Sequence, residues 1–304
     1  MNITKEKILE QYESNKDDLN IKTEELKECV FNNFYNFLRN EELLKEINIT
    51  LEANYGARLY SSFNENRNNG YLISLGYQSM KYLLSFSNLA SEELLPIIKS
   101  EDPNRRNLLA SELSDILFKI FLTTICLHEL AHIVYGHIDY NSTEPDIRKA
   151  FESEADAFST QLMFAYLEKY EDVRELFSNY CNDHSSAKSL LRLFGYVESY
   201  YFGFLSIISK EISDYHPTPI KRRFCSMAAS EEITKLVTPK GLSEENFKIA
   251  KARVINIFIQ AFHKIYPEKE YYIDMIETAE YMSNLDKILR NSNIKSFYKI
   301  GKNR

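Results

Sequence analysis

The chain has 304 residues and is 44% hydrophobic, enough for one large domain with a real core. Asp and Glu outnumber Lys and Arg by 44 to 37, and the net charge of −7 argues against a dedicated nucleic-acid binder, which would carry a basic face. The longest apolar run, Ile116 to Leu127, is broken by Lys119, Thr123 and Thr124 and is too short for a membrane span.

The cysteines, Cys29, Cys126, Cys181 and Cys225, are scattered. Without a C-x-x-C pair they suggest neither a cysteine metal site nor a disulfide framework, and they fit a reducing compartment. The first residues, MNITKEKILEQYESNKDD, contain no apolar segment of the kind a secretory leader needs. The expected location is therefore cytoplasmic.

In chain order, residues 5–45 show helical periodicity in a charged setting and read as two surface helices. ITLEANYGARLYSSF and YLISLGY are β-prone runs joined by NENRNNG, which predicts an antiparallel hairpin. Its strand near Tyr71–Leu75 is expected to line a cleft and to pair with an extended peptide. Pro96 and Pro103 make 92–107 a loop with a short helix. A long helix is expected from about Leu108 to Tyr135, stopped by Gly136. The next should start near Thr143 or Glu144, with Pro145 in its first turn, and run to about Tyr170. An apolar helix over 187–213 is a core candidate, and two or three helices follow Gly241. The basic residues after Asn284 (Lys287, Arg290, Lys295, Lys299, Lys302 and Arg304) read as a solvated helix or tail. The fold class expected is α+β, predominantly helical, with a small antiparallel sheet ahead of the long helix.

The chemistry concentrates in IFLTTICLHELAHIVYGH, which contains H-E-x-x-H at His128, Glu129 and His132. Residues four apart share one helix face, so both imidazoles can reach one ion. Glu129 is rotated by roughly 100° from His128, beside the ion, where a carboxylate can take a proton from an attacking water. Two His and a Glu buried together would be costly without a metal.

A catalytic zinc site needs a third protein ligand and an open fourth position. The position ten residues after His128 is Ile138, so a third His in the metzincin manner is absent. His137 is read as a structural helix-end residue. The following helix, KAFESEADAFSTQL, offers Glu152 and Asp156 on one face, with Glu154 rotated by about 200° away from Glu152. Alone, such a trio is ordinarily a solvated face; after the upstream motif, Glu152 becomes the candidate third ligand. Asp156 can then hold a ligand His in its tautomer from behind. YHPTPIKRRF places His216, before Pro217, in a loop after the apolar helix, with Arg222 six residues on. His216 can donate to a developing oxyanion, and Arg222 can orient it or bind substrate backbone. On residues alone His216 reads as an ordinary loop residue. His184 and His263 have no constellation around them. No G-x-S-x-G, G-x-G-x-x-G or G-x-x-x-x-G-K occurs.

HELAHIVYGH, ESEAD and HPTPIKR, in that order, resemble the H-E-x-x-H, E-x-x-A-D and H-P-x-x-x-x-R blocks of gluzincin peptidases. The closer resemblance is to the soluble phage-exclusion peptidases of the Lit type, across roughly residues 50–230, and it includes GYLISLGYQSMKYLLSFSN as a strand running into an aromatic helix. Tyr215 departs from the Thr or Ser that often precedes His-Pro. The resemblance implies one Zn²⁺ held by His128, His132 and Glu152, Glu129 as base, Asp156 behind the ligands, and His216 and Arg222 near the transition state. It also implies a zincin-like fold and abortive infection by cleavage of a host translation factor once a phage-derived activator appears.

The expectation is thus a single zincin-like domain over 1–304, with N-terminal helices over 1–47, a catalytic core over 48–235, and C-terminal helices with a basic tail over 236–304. The expected function is zinc-dependent endopeptidase action on a protein or peptide substrate, with no nucleic acid and no membrane involved. The alternatives are a non-catalytic zinc-binding or partner-sensing module and a peptidase acting on a regulatory repressor.

Overall fold

The structure is a computed structural model, and it describes residues 1–40, 44, 47–55, 62–67, 70–101, 107–140, 143–167, 171–178, 184–208, 217–229, 241, 243–267 and 272–291. His216 and Cys181 fall outside these residues, as does the basic tail beyond 291.

Two amphipathic helices open the chain, α1 (Lys5–Ser14) and α2 (Lys16–Asn40). They are less superficial than their charge suggests. Leu19, Leu26, Val30, Phe34 and Phe37 recur at helical spacing and enter the core.

Three strands follow, β1 (Ile49–Asn54), β2 (Ser62–Arg67) and β3 (Gly70–Gly76), in the spatial order β1-β3-β2. The expected antiparallel sheet is corrected here. β1 runs parallel to β3, pairing Ile49 with Tyr71 through Asn54 with Gly76. β2 runs antiparallel to β3, from Arg67 opposite Gly70 to Ser62 opposite Leu75. Most of the Asn-rich stretch expected to be a connection is therefore strand β2, and the first β-prone run lies on the far side of β3. Gly70, at φ 142, starts β3 where an added Cβ would fall 2.2 Å from the Asn48 carbonyl oxygen, so only glycine fits. β3 is the central strand and is buried from Leu72 to Gly76. Both of its edges are occupied, so it cannot pair with a substrate as expected from the sequence; among the described residues β1 and β2 are the edge strands.

α3 (Tyr77–Glu101) leaves β3 directly. It runs through Pro96 instead of breaking into the expected loop. Pro96 is on the exposed side while Leu94 and Ile98 are buried, so water can satisfy the carbonyl its ring leaves unpaired. α4 (Ala110–Val134) is the central helix and packs against α2, α3, the sheet and α6 (Pro145–Leu167). It starts with the Glu112 carboxylate accepting from the Leu109 N–H at 3.0 Å, and it ends at Gly136, whose φ of 74 suits the helix-stop position. Composition alone would let α4 cross a membrane, but 83% of its most apolar window is buried inside the protein. A helix apolar on all sides is what the centre of a helical core requires.

The short helix α5 (His137–Tyr140) turns the chain into α6. Then come α7 (Glu171–Ser178), α8 (His184–Ile208), α9 (Pro219–Ala229), α10 (Glu244–Ile265) and α11 (Tyr272–Asn291). The sequence offers no assignment for α9 beyond the loop that holds His216. Thr218 and Pro219 start the helix, with the Thr218 hydroxyl accepting from the Lys221 N–H at 3.4 Å and proline at the first helical position. Arg222 therefore sits on a helix packed against α6.

Candidate metal centre

α4 presents His128 and His132 one turn apart, and α6 presents Glu152 across from them. The Nε2 atoms of the two histidines are 3.2 Å apart. Glu152 places Oε2 3.3 Å from His128 Nε2 and Oε1 3.5 Å from His132 Nε2. Two ligand atoms each about 2.0–2.1 Å from a tetrahedral ion lie about 3.3–3.4 Å from one another. The two imidazole nitrogens and the two carboxylate oxygens, four atoms from three residues, thus show separations close to a tetrahedral edge, each nitrogen facing a different oxygen of Glu152. Two imidazoles and a carboxylate are a donor set that holds a divalent ion, so these residues fit a metal.

The helix rotation derived from the sequence is realised. Glu152 and Asp156 face α4, and Ala155 between them is fully buried, letting the two helices approach closely. Asp156 Oδ1 lies 3.1 Å from His128 Nδ1, a close charge contact more than a well-aligned hydrogen bond. Its other role is to receive Arg222. The guanidinium Nε donates to Oδ2 at 2.8 Å and Nη2 donates to Oδ1 at 2.9 Å. Nη2 is also 3.7 Å from Glu152. Two of its nitrogens are thus committed to Asp156, and Arg222 holds the acidic face of α6.

Burial opposes charge on every one of these groups, and their partners decide the outcome. Burial depresses His128, but Asp156 and Glu152 overcome it and raise its pKa to about 10. His132 goes the other way, to about 4: burial dominates, and the His128 charge adds to it. Glu152 is held well below the carboxylate range by His128, His132 and Arg222 despite its burial. Asp156 is likewise lowered, chiefly by Arg222 working against burial, and Arg222 is raised by the same pairing. Glu129 is buried one residue past His128 and its charge acts on the His132 ring.

Two residues here were not found from the sequence in any site role. His137, read as a helix-end residue, is buried, with its ring stacked on Phe151 at a centroid distance of 4.1 Å. Its Nδ1 is 3.0 Å from His132 Nδ1, and its Nε2 is 3.0 Å from Glu154 Oε2. Burial lowers its pKa to about 3, so the ring is neutral near pH 7. Glu154 does turn away from the metal group, as its rotation requires, and meets His137 instead of solvent alone. The only sequence signal was the Gly136-His137 pair at a helix stop.

Comparison with known proteins adds one finding. Residues 81–231 match the family model of Peptidase U49. Searches of curated proteins and of solved structures returned no match. The matched segment runs from α3 to the end of α9 and contains His128, Glu129, His132, Glu152, Asp156 and Arg222. The U49 match supports a peptidase, and its span coincides with the segment that builds the donor group.

Proposed function

We propose that the chain is a zinc-dependent endopeptidase of the gluzincin type. The observation that carries this reading is the convergence of His128, His132 and Glu152 donor atoms on one point between α4 and α6, inside the segment that matches a peptidase family. A bound Zn²⁺ would polarise the scissile carbonyl and acidify a water.

The residues of the chain supply the rest. Glu129 follows a ligand without completing the triad and serves as general base, taking the proton of the attacking water and returning it to the leaving amine. Asp156 backs His128 and is itself neutralised by Arg222. Among the described residues β2 is an edge strand, packed against α4 and α5, and its outer edge offers backbone groups to an extended peptide. His216, six residues before Arg222, serves as donor to the developing oxyanion. The chain acts in this reading as one cytoplasmic zincin-like unit on a protein substrate, and the Lit-type resemblance makes phage exclusion, with a host translation factor as target and a phage product as trigger, the leading biological role.

Zinc-loaded protein and its Glu129→Gln variant, incubated with cell lysate and analysed for new protein N-termini, test the reading. New termini are expected with the unsubstituted protein alone, while both forms bind one zinc. Zinc binding with no cleavage in lysates from infected and uninfected cells would favour a non-catalytic zinc-binding module instead.

A further inference from the structure

His132 must offer the lone pair of Nε2 to a metal, because Nε2 is the atom that faces His128 Nε2 and Glu152. A neutral imidazole with a bare Nε2 carries its proton on Nδ1. That N–H needs an acceptor in a buried place. The atom 3.0 Å away is His137 Nδ1. For it to accept, the His137 proton must sit on Nε2, and 3.0 Å from Nε2 stands a carboxylate that accepts only, Glu154 Oε2.

The polarity of the chain is therefore fixed from one end. Glu154 accepts from His137 Nε2–H, His137 Nδ1 accepts from His132 Nδ1–H, and His132 Nε2 is left bare toward the metal position. A doubly protonated His137 would have two donors and would force His132 into the opposite tautomer, with a proton on the atom that faces the other ligands.

We propose that His137 and Glu154 form a positioning relay that sets the tautomer and ring angle of His132 for metal binding. This rests on the metal-site reading above. It makes the centre symmetric in function: each ligand histidine is backed by a carboxylate, His128 directly through Asp156 and His132 at one remove through His137. The remove has a geometric cause. Glu154 is rotated by about 200° from Glu152 on α6 and stays clear of His132, and Gly136, at φ 74, turns the chain so that His137 fills the space between.

His137 also stacks on Phe151 and Tyr135, so packing is the competing explanation. Two substitutions pull the roles apart. His137→Phe keeps an aromatic ring on Phe151 and removes the acceptor. His137→Asn gives up the stack and keeps an acceptor oxygen near the Nδ1 position. Zinc affinity is measured by chelator competition on full-length protein, with circular dichroism to verify folding.

The relay predicts that His137→Phe weakens zinc binding by about 10–100-fold, the usual cost of losing a group behind a ligand, and that His137→Asn lies closer to the unsubstituted protein. Phe equal to or better than Asn overturns the relay. A measurement on the unsubstituted protein covers the event that neither variant folds. Long-range ¹⁵N–¹H correlation of the histidine rings should show His137 protonated on Nε2 and bare on Nδ1, with and without zinc; a proton on His137 Nδ1 overturns the proposal. If the protein binds no zinc, the metal-site reading fails first, and the tautomer measurement still decides the hydrogen-bond polarity.

Discussion

Three carboxylates within five residues of α6 meet three different fates, and rotation about one helix axis separates them. Glu152 reaches the donor triad, Asp156 lies a turn further on behind His128, and Glu154 faces away to His137. Glu152→Ala is expected to empty the site, whereas Asp156→Ala should weaken zinc by about 10–100-fold; metal analysis after gel filtration distinguishes the two, and a full site in Glu152→Ala would unseat it as a ligand. These fates were legible in the sequence as far as helix periodicity reaches, because both acids and both histidines lie on regular helices. His137 was not legible, since its direction depends on a single left-handed residue at Gly136 and on where α6 begins. Glu198 was missed for another reason: it is the single carboxylate of α8, with no motif around it. It lines a small, mostly apolar cavity together with Phe121, Met163 and Tyr201. Its Oε2 is buried with no hydrogen-bond partner among the described residues. Burial lifts its pKa to about 7, with Asp156 adding to the rise and Arg223 opposing it. A carboxyl whose folded pKa is raised binds its proton more tightly when folded. Its contribution to stability is therefore full below about pH 4.5 and is lost as pH rises to about 7. Glu198→Gln should consequently raise stability by about 1–3 kcal/mol at pH 8 and change it little at pH 4.5; denaturant midpoints at the two pH values test this, and an equal gain at both would refute the buried-proton account.

At the scale of elements, the helices were readable and the sheet was not. α4 announced itself by length and by its stop at Gly136, and α6 by Pro145 in its first turn. The strand order β1-β3-β2 depends on how the middle strand folds back past the first, and alternation of side chains carries no information about that. α3 was cut short in the sequence reading because proline in a helix interior removes an i→i−4 hydrogen bond and crowds the preceding turn. Its exposed position explains why the helix survives it: the freed carbonyl faces water, and the buried neighbours Leu94 and Ile98 keep the segment on the core. The cost should still be present in the folded state. Pro96→Ala is expected to stabilise the protein by about 1–3 kcal/mol, offset in part by the freer unfolded chain, and to leave zinc binding unchanged. Urea unfolding measures it, and a destabilised variant would mean that the proline holds a bend the core requires.

At the scale of the molecule, the donor triad is where three helices are fastened together. α4 is fixed on all sides by apolar packing and does not depend on the site for its place. α6 packs on it through Ala155 but also brings two buried acids to the contact, and α9 reaches the same acids through Arg222. The joint therefore depends on charges being balanced. The fork from Arg222 neutralises Asp156. Glu152 is left facing two imidazoles, of which one prefers to stay uncharged. A divalent cation among these donors would take the place of the proton that His128 otherwise holds and link α4 to α6. Binding to the folded state alone stabilises by RT ln(1 + [M]/Kd), about 2.7 kcal/mol when free metal is 100 times Kd. Chelation is thus expected to lower the thermal midpoint by several degrees. Arg222→Met should cost more, about 3–5 kcal/mol, because it leaves a buried carboxylate without its counter-charge. The two effects should combine unequally. If Arg222 orders the acidic face that meets the metal, chelation will shift the midpoint of Arg222→Met less than that of the unsubstituted protein, since the variant binds zinc more weakly to begin with. Differential scanning calorimetry of both proteins with and without chelator measures the coupling. Equal shifts would show that α9 fastens α6 independently of the metal centre, and no shift in either would remove the metal as a structural link.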